Sequence, residues 1–496
     1  MLVDGIGGLS RGIVSRTLLP SEVCSASLHR IKQTKDLNAY ITVTEEHART
    51  SARQGDQRCE SGRALPLEGV TIAVKDNFCT AGVRTTCASR MLSKFVPQYT
   101  ATVVERLEKA GAIVVGKTNL DEFAMGAGAT DSSFGPSKNP WRYERASKNR
   151  EGDFYITGGS SGGSAVAVAS GTCLGAIGSD TGGSVRNPSA RCGVPALKPS
   201  YGVLSRHGLI PLTHSLDAPG LIALTVKDLV LLLLHCAGRD SRDSTSIDTS
   251  DVLTVEKLQL ENNPSLEGLT VGIPQEYHCS GMQDEVVDLW EDIAQLMSNQ
   301  GAKVVPVSLP HTQYALPCYS VLNCCDVASN LACYDGLEYG CRTDNMASTE
   351  ALFTDTRFLG FSKSVRGRIF SGNYFLLREN YEKFFVKAAR LRRLITEDFK
   401  RAFERVDLLL APVTLSEAVL FSEWVTKDNR TRVTLEDFCT QPANLAGLPA
   451  LSLPCRLSKN GLPLGLQLIG PYLSEARLLK AGRRLELELD FQHSCK

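Results

Sequence analysis

Short apolar runs and helical apolar spacings take turns along this chain, with glycine or proline between them. Pro20-Ser21-Glu22 opens a segment whose apolar positions recur at helical intervals through Leu28 and Ile31. Residues 70–74 form a run rich in β-branched side chains that ends at Lys75-Asp76-Asn77, which predicts a buried strand delivering a polar loop. Residues 102–110 predict a helix stopped by Gly111, and residues 113–115 a further strand ended by Gly116. Strand, helix and strand in that order indicate α/β architecture. Residues 285–301 and 374–403 carry helical periodicity, 229–234 reads as a buried helix segment, and 408–410 and 450–453 read as buried strands before proline-marked turns. The charge-dense, apolar-poor stretch 141–153 predicts a surface insertion without a catalytic role, and the polar stretch 238–251 a long connecting loop.

The chain has 496 residues, enough to bury a large core. Lys plus Arg balances Asp plus Glu, 54 against 54, so no strongly basic surface for gripping nucleic acid is expected. An RNA partner would have to be held through local patches or by another subunit. The 16 cysteines form no CxxC pair, and Cys318, Cys324, Cys325, Cys333 and Cys341 lack zinc-site spacing. Free thiols in a reducing compartment are the expectation, with a metal or redox cluster as the alternative. No apolar run approaches the roughly 20 residues that span a bilayer, so no membrane partner is expected. The N-terminus has Arg11 and Arg16 but also Asp4 and no long apolar stretch, which argues against a secretory signal and leaves a weak organelle presequence.

The candidate chemistry is concentrated in two glycine-serine blocks, Gly158-Gly159-Ser160-Ser161-Gly162-Gly163-Ser164 and Asp180-Thr181-Gly182-Gly183-Ser184, joined by small residues. Glycine admits close backbone approach, and successive N–H groups in such a turn can point at an anion. Beside a serine hydroxyl they can stabilise the oxyanion formed when that serine attacks a carbonyl. A phosphate-binding loop would need a lysine that is missing here. The first block also fits GxSxG, but an α/β-hydrolase elbow needs a later Asp and His. His207, His214, His235, His278 and His311 have no distinctive setting, and that reading leaves the second block and Lys75 unexplained. Taken singly, either block is more simply a turn, and Lys75 an exposed strand-end lysine.

Together, Val74-Lys75-Asp76-Asn77, the block from Gly158 to Ser164, and the stretch from Asp180 through Arg186-Asn187-Pro188-Ser189-Ala190 resemble the amidase signature family. The resemblance runs from about Leu9 to beyond Leu479. It implies an α/β fold with one large domain, a mixed β-sheet flanked by helices, over 1–496. It also implies a catalytic core at about 65–230 and a substrate-recognition half at about 265–485. Carried over by motif, Lys75, a cis-configured Ser160 and Ser184 would be the catalytic triad. Thr181, Gly182 and Gly183 would supply oxyanion-hole amides, with Ser184's own, and Asp180 and Arg186 would brace the loop. No metal site and no cofactor in this chain are implied. A lysine serves as base only when neutral, so its pKa must be lowered by burial or nearby positive charge.

Within that family, Gly116-Lys117-Thr118-Asn119-Leu120-Asp121-Glu122-Phe123-Ala124-Met125-Gly126, Tyr334-Asp335-Gly336, Val365-Arg366-Gly367-Arg368-Ile369 and Asn444-Leu445-Ala446-Gly447-Leu448-Pro449 look like the glutaminase (A) subunits of glutamyl-tRNA(Gln) amidotransferases. Residues 381–395 are most similar to animal mitochondrial members. The resemblance implies L-glutamine as substrate, bound by Tyr319, Arg368 and Asp437; a guanidinium suits the α-carboxylate and a carboxylate the α-ammonium. It further implies a heterotrimer with a B subunit, which uses ATP and Mg to activate Glu-tRNA(Gln), and a small C subunit, in the mitochondrial matrix. The alternative is a free-standing amidase acting on another amide. Ser320, Pro195, Ala196 and Cys324-Cys325 depart from the family's usual pattern.

Overall fold

The computed structural model describes residues 5–143, 152–259 and 264–491. Its centre is an 11-stranded mixed sheet in the order β1-β3-β2-β4-β6-β5-β10-β11-β9-β7-β8. The strands are β1 (Tyr40–Val43), β2 (Thr71–Lys75), β3 (Ile113–Thr118), β4 (Gly175–Asp180), β5 (Ala196–Lys198), β6 (Ala218–Ala223), β7 (Thr270–Pro274), β8 (Lys303–Val307), β9 (Leu408–Pro412), β10 (Ala450–Leu457) and β11 (Pro463–Ile469). The helices that matter for the site are α1 (Pro20–Gln33), α2 (Thr102–Lys109), α3 (Gly162–Ala169), α4 (Arg186–Cys192), α5 (Ala315–Asn330), α6 (Lys363–Leu376) and α7 (Lys387–Phe403).

The run at 70–74 is continuous in sequence because the sheet is covered on both faces. Ile72 and Val74 join one apolar cluster while Ala73 joins the opposite one; on β3, Val114 joins the first and Ile113 and Val115 the second. Side chains alternate faces along a strand, so a doubly covered strand needs apolar residues at every position. β2 is parallel to both β3 and β4. Lys75, Thr118 and Asp180 therefore end three neighbouring strands at one edge, where ligand sites of α/β sheets lie.

Three boundaries differ from the sequence-based expectation. Gly116 does not end β3, which runs on to Thr118. Its glycine instead admits β1: a Cβ there would sit 2.6 Å from the Tyr40 ring and 2.8 Å from the Thr42 carbonyl. The helical pattern at 374–403 is broken at Leu377, whose extended ψ of 141° ends α6; a short helix and a π-helical turn precede α7. Asn380 supports the break by donating its side-chain amide to the Tyr374 carbonyl at 3.0 Å. Trp141 belongs to the interior, with its indole N–H on the Cys192 carbonyl at 2.8 Å, so it is not part of a surface insertion. Most of the expected insertion, residues 144–151, lies outside the described residues. The unusual Ala196 opens β5, paired with Ser452 and Ile222. Every described cysteine is a free thiol, and no described helix is long and apolar enough to cross a membrane.

Candidate active site

Lys75 ends β2 with no exposed surface. Its Nζ donates to Ser160 Oγ at 2.8 Å, Ser179 Oγ at 2.9 Å and the Ser179 carbonyl at 3.3 Å. Burial pulls its pKa down to about 7, against the opposing pull of Asp121, Asp180 and Asp217. The side chain is thus poised between ammonium and amine near neutrality. Asn77 holds the neighbouring hydroxyl, its Nδ2 donating to Ser179 Oγ at 2.9 Å.

The Gly159–Ser160 peptide is cis. Gly159 has no room for a side chain because Asp121 Oδ2 occupies the place of its Cβ. Asp121 receives the N–H groups of Ala129, Thr130 and Asp131 at 2.9, 2.9 and 3.0 Å. Burial, with Asp131 next, pushes its carboxyl up to about 6. Ser161 then ties the two glycine-serine blocks together: its N–H donates to the Ser184 carbonyl at 3.0 Å and its hydroxyl to the Ser179 carbonyl at 3.2 Å. Ser161, the serine of the GxSxG pattern, is thereby buried in the wall. Ser184 is 6% exposed, and among the described residues its hydroxyl has no hydrogen-bond partner. Lys75 and Ser160 are thus in direct contact, while Ser184 is joined to the first block through the Ser161 N–H.

Asp180 organises the second block. Its carboxylate accepts from the N–H groups of Gly183 at 2.9 Å, Val185 at 3.2 Å and Arg186 at 3.3 Å, and from the Asn444 amide at 2.9 Å. Arg186 Nε and Nη2 reach it at 3.1 Å each. Burial alone would raise this carboxyl; Arg186, then Lys198 and Asn444, hold it well below the usual carboxylate range. The expected oxyanion donors divide here. The Gly183 N–H is engaged by Asp180, which leaves Thr181, Gly182 and Ser184 as amides with no acceptor among the described residues. Gly183 instead serves the turn: its φ is +141°, and Thr440 Oγ1 fills the place of a Cβ. Thr440 also donates to the Gly182 carbonyl at 2.6 Å.

Helices α5 and α6 wall a cavity of about 710 Å³ whose lining includes Tyr319, Arg368 and the divergent Ser320 and Cys324. Tyr319 lies over the nucleophile turn, 3.0 Å from where a Cβ on Gly182 would be. Arg368 donates to Asn323 Oδ1 at 2.9 Å and to Asn429 Oδ1 at 3.4 Å. Asp437 lies at the turn, its Oδ1 3.1 Å from the Cβ place of Gly183. That oxygen is buried with no partner, and burial, then Glu436 and Asp180, push the carboxyl well above its ordinary range. Such an atom lacks only a donor.

Sequence reasoning misses Ser179, Asp217, Asn323, Thr440 and Asn444 as members of the site. Asn444 sits in a stretch that resembles the family and Ser179 directly precedes Asp180, but neither offers a spacing that signals a contact.

A family profile described as Amidase matches residues 22–479. The chain is 58% identical over 474 residues to the A subunit of the mitochondrial glutamyl-tRNA(Gln) amidotransferase of Ixodes scapularis, covering 95% of this chain and 93% of that protein. It is 51% identical over 485 residues to the corresponding mitochondrial protein of Anopheles gambiae, covering 97% of each. A crystal structure of the glutamyl-tRNA(Gln) amidotransferase A subunit from Thermotoga maritima matches with TM-score 0.74 at 34% identity, covering 94% of this chain and 91% of that one.

Proposed function

This chain belongs to the amidase family, and on that premise we propose that it is the glutaminase subunit of a glutamyl-tRNA(Gln) amidotransferase working in mitochondria. The observation that carries the chemistry is the buried Lys75–Ser160 hydrogen bond beside the turn that presents Ser184. The substrate and the compartment rest on near-full-length likeness to mitochondrial proteins of that name.

Glutamine enters the cavity between α5 and α6. Arg368 takes its α-carboxylate, the unpartnered oxygen of Asp437 its α-ammonium, and Tyr319 lies beside the turn. Neutral Lys75 accepts a proton from Ser160, which takes one from Ser184 as Ser184 attacks the side-chain amide carbon. The amides of Thr181, Gly182 and Ser184 receive the oxyanion; Asp180 keeps Gly183 and Arg186 in the shape that aims them. The proton returns along the same path to the leaving ammonia, and water then frees glutamate from Ser184. The released ammonia passes to a B subunit that activates Glu-tRNA(Gln) with ATP and Mg, and a C subunit completes the assembly. None of these steps calls for a metal or cofactor on this chain.

Ser184→Ala tests the division of labour. In the assembled complex it should abolish glutamine-dependent amidation and leave ammonia-dependent amidation intact. Loss of both in a folded complex contradicts the proposal. A free-standing amidase would instead hydrolyse other amides without partner subunits and without using glutamine.

A further inference from the structure

Arg368 is one end of a longer construction. Asn323, on α5 and 1% exposed, accepts from Arg368 Nη1 at 2.9 Å and donates its Nδ2 to Thr213 Oγ1 at 2.7 Å. The Thr213 N–H donates to Asp217 Oδ2 at 3.0 Å. The other carboxylate oxygen of Asp217 accepts the Thr181 hydroxyl at 2.6 Å. Thr181 opens the turn that carries Gly182 and Ser184. Thr213, Asp217 and Thr181 are all buried, so water does not compete for these bonds.

The direction of the chain is fixed by chemistry. A guanidinium has only donors, so Asn323 must present its oxygen to Arg368. Its amide nitrogen then faces Thr213, whose hydroxyl must accept. At the far end Asp217 receives three donors, the Leu212 N–H at 2.9 Å among them. A shift of the guanidinium would therefore reorient the Asn323 amide, which bonds Thr213 on the loop that holds Thr181.

We propose that Asn323 is a positioning residue that, through Thr213 and Asp217, couples occupation of Arg368 by an α-carboxylate to the alignment of the Thr181–Ser184 turn. Asn323 thereby determines specificity for α-amino-acid amides over simple amides. The inference rests on the glutaminase reading above and adds to it a residue and a route. Asn429 supports the same guanidinium from the other side, its Nδ2 held by the Met125 carbonyl at 3.1 Å and Asp131 Oδ2 at 2.9 Å.

The test compares hydrolysis of L-glutamine with that of butyramide, which has the same scissile amide but neither the α-carboxylate nor the α-ammonium, by the full chain in its assembled complex. Asn323→Ala should lower the glutamine-to-butyramide ratio of kcat/KM by about tenfold or more, mainly through KM. Asn323→Asp keeps an acceptor for Arg368 and should restore most of that KM. Thr213→Val should lower kcat on glutamine more than on butyramide. Adding Asn323→Ala to Arg368→Ala should cost little more than Arg368→Ala alone, because contacting residues are not additive.

Equal losses on both substrates, or no recovery with Asn323→Asp, overturn the proposal. If Arg368→Ala destroys the preference for glutamine and Asn323→Ala leaves it intact, this proposal alone falls. If Arg368→Ala leaves the preference intact, the glutamine-binding assignment falls and takes this proposal with it. Should Asn323→Ala fail to fold, Asn323→Asp, with Thr213→Val, decides the matter.

Discussion

Arg186 and Asp180 meet twice, Nε on Oδ2 and Nη2 on Oδ1 at 3.1 Å each, and their contact closes the turn that holds Ser184. Both side chains are fully buried. Removing one partner would leave an uncompensated buried charge, which typically costs about 3–5 kcal/mol. Arg186→Ala should therefore lower unfolding stability by that order in a denaturant titration. Arg186→Lys should recover little of it, because an ammonium cannot form the paired contact. A loss below about 1 kcal/mol, the range of exposed pairs, would mean the pair does not hold the turn.

The titration of Lys75 sets the expected pH dependence. Its amine must be neutral to accept a proton, and burial brings its pKa to about 7. Glutaminase kcat/KM should accordingly rise as pH climbs through about 7 and level off above it. The unperturbed lysine value of about 10.4 would place that rise more than three units higher. A profile still climbing steeply at pH 9 would show an ammonium of ordinary basicity.

Gly183 should not tolerate a side chain. Its φ of +141° is strained for any L-residue, and Thr440 Oγ1 stands where the Cβ would go. Gly183→Ala should reduce glutamine hydrolysis by about 100-fold or more by misaligning neighbouring oxyanion donors. Steady-state kinetics with a circular-dichroism control separates this from unfolding.

Asp437→Asn keeps the size of the side chain and removes the carboxylate that an ammonium would pair with. The carboxyl's unpartnered oxygen is the proposed seat of the α-ammonium. A charge-assisted hydrogen bond contributes about 1.5–3 kcal/mol, so KM for glutamine should rise by about 10- to 100-fold. Glutaramate, which lacks the α-amino group, should show a much smaller change. Equal changes for both would remove Asp437 from ammonium recognition.

The chemistry was legible in sequence because its ends are local. Lys75 ends an apolar run, and the two glycine-serine blocks are dense enough to stand out. The supports were hidden because they arrive from far along the chain. Arg186 is met by Gln467 and Asn444, and Arg191 by Glu436, which share no spacing with their partners. Gly116 misled for a different reason: its glycine marks a close approach by Tyr40, which only the neighbouring strand reveals. The break at Leu377 was hidden because the apolar spacing continues across it. The engagement of the Gly183 N–H by Asp180 likewise depends on loop geometry that composition does not encode.

The most direct measurement is to quench the complex during glutamine turnover and map the modified residue by mass spectrometry. A γ-glutamyl adduct on the peptide carrying Ser184, absent from Ser184→Ala and greatly reduced in Lys75→Ala, is the expected result. An adduct on Ser160 or Ser161 with Ser184 unmodified would contradict the account.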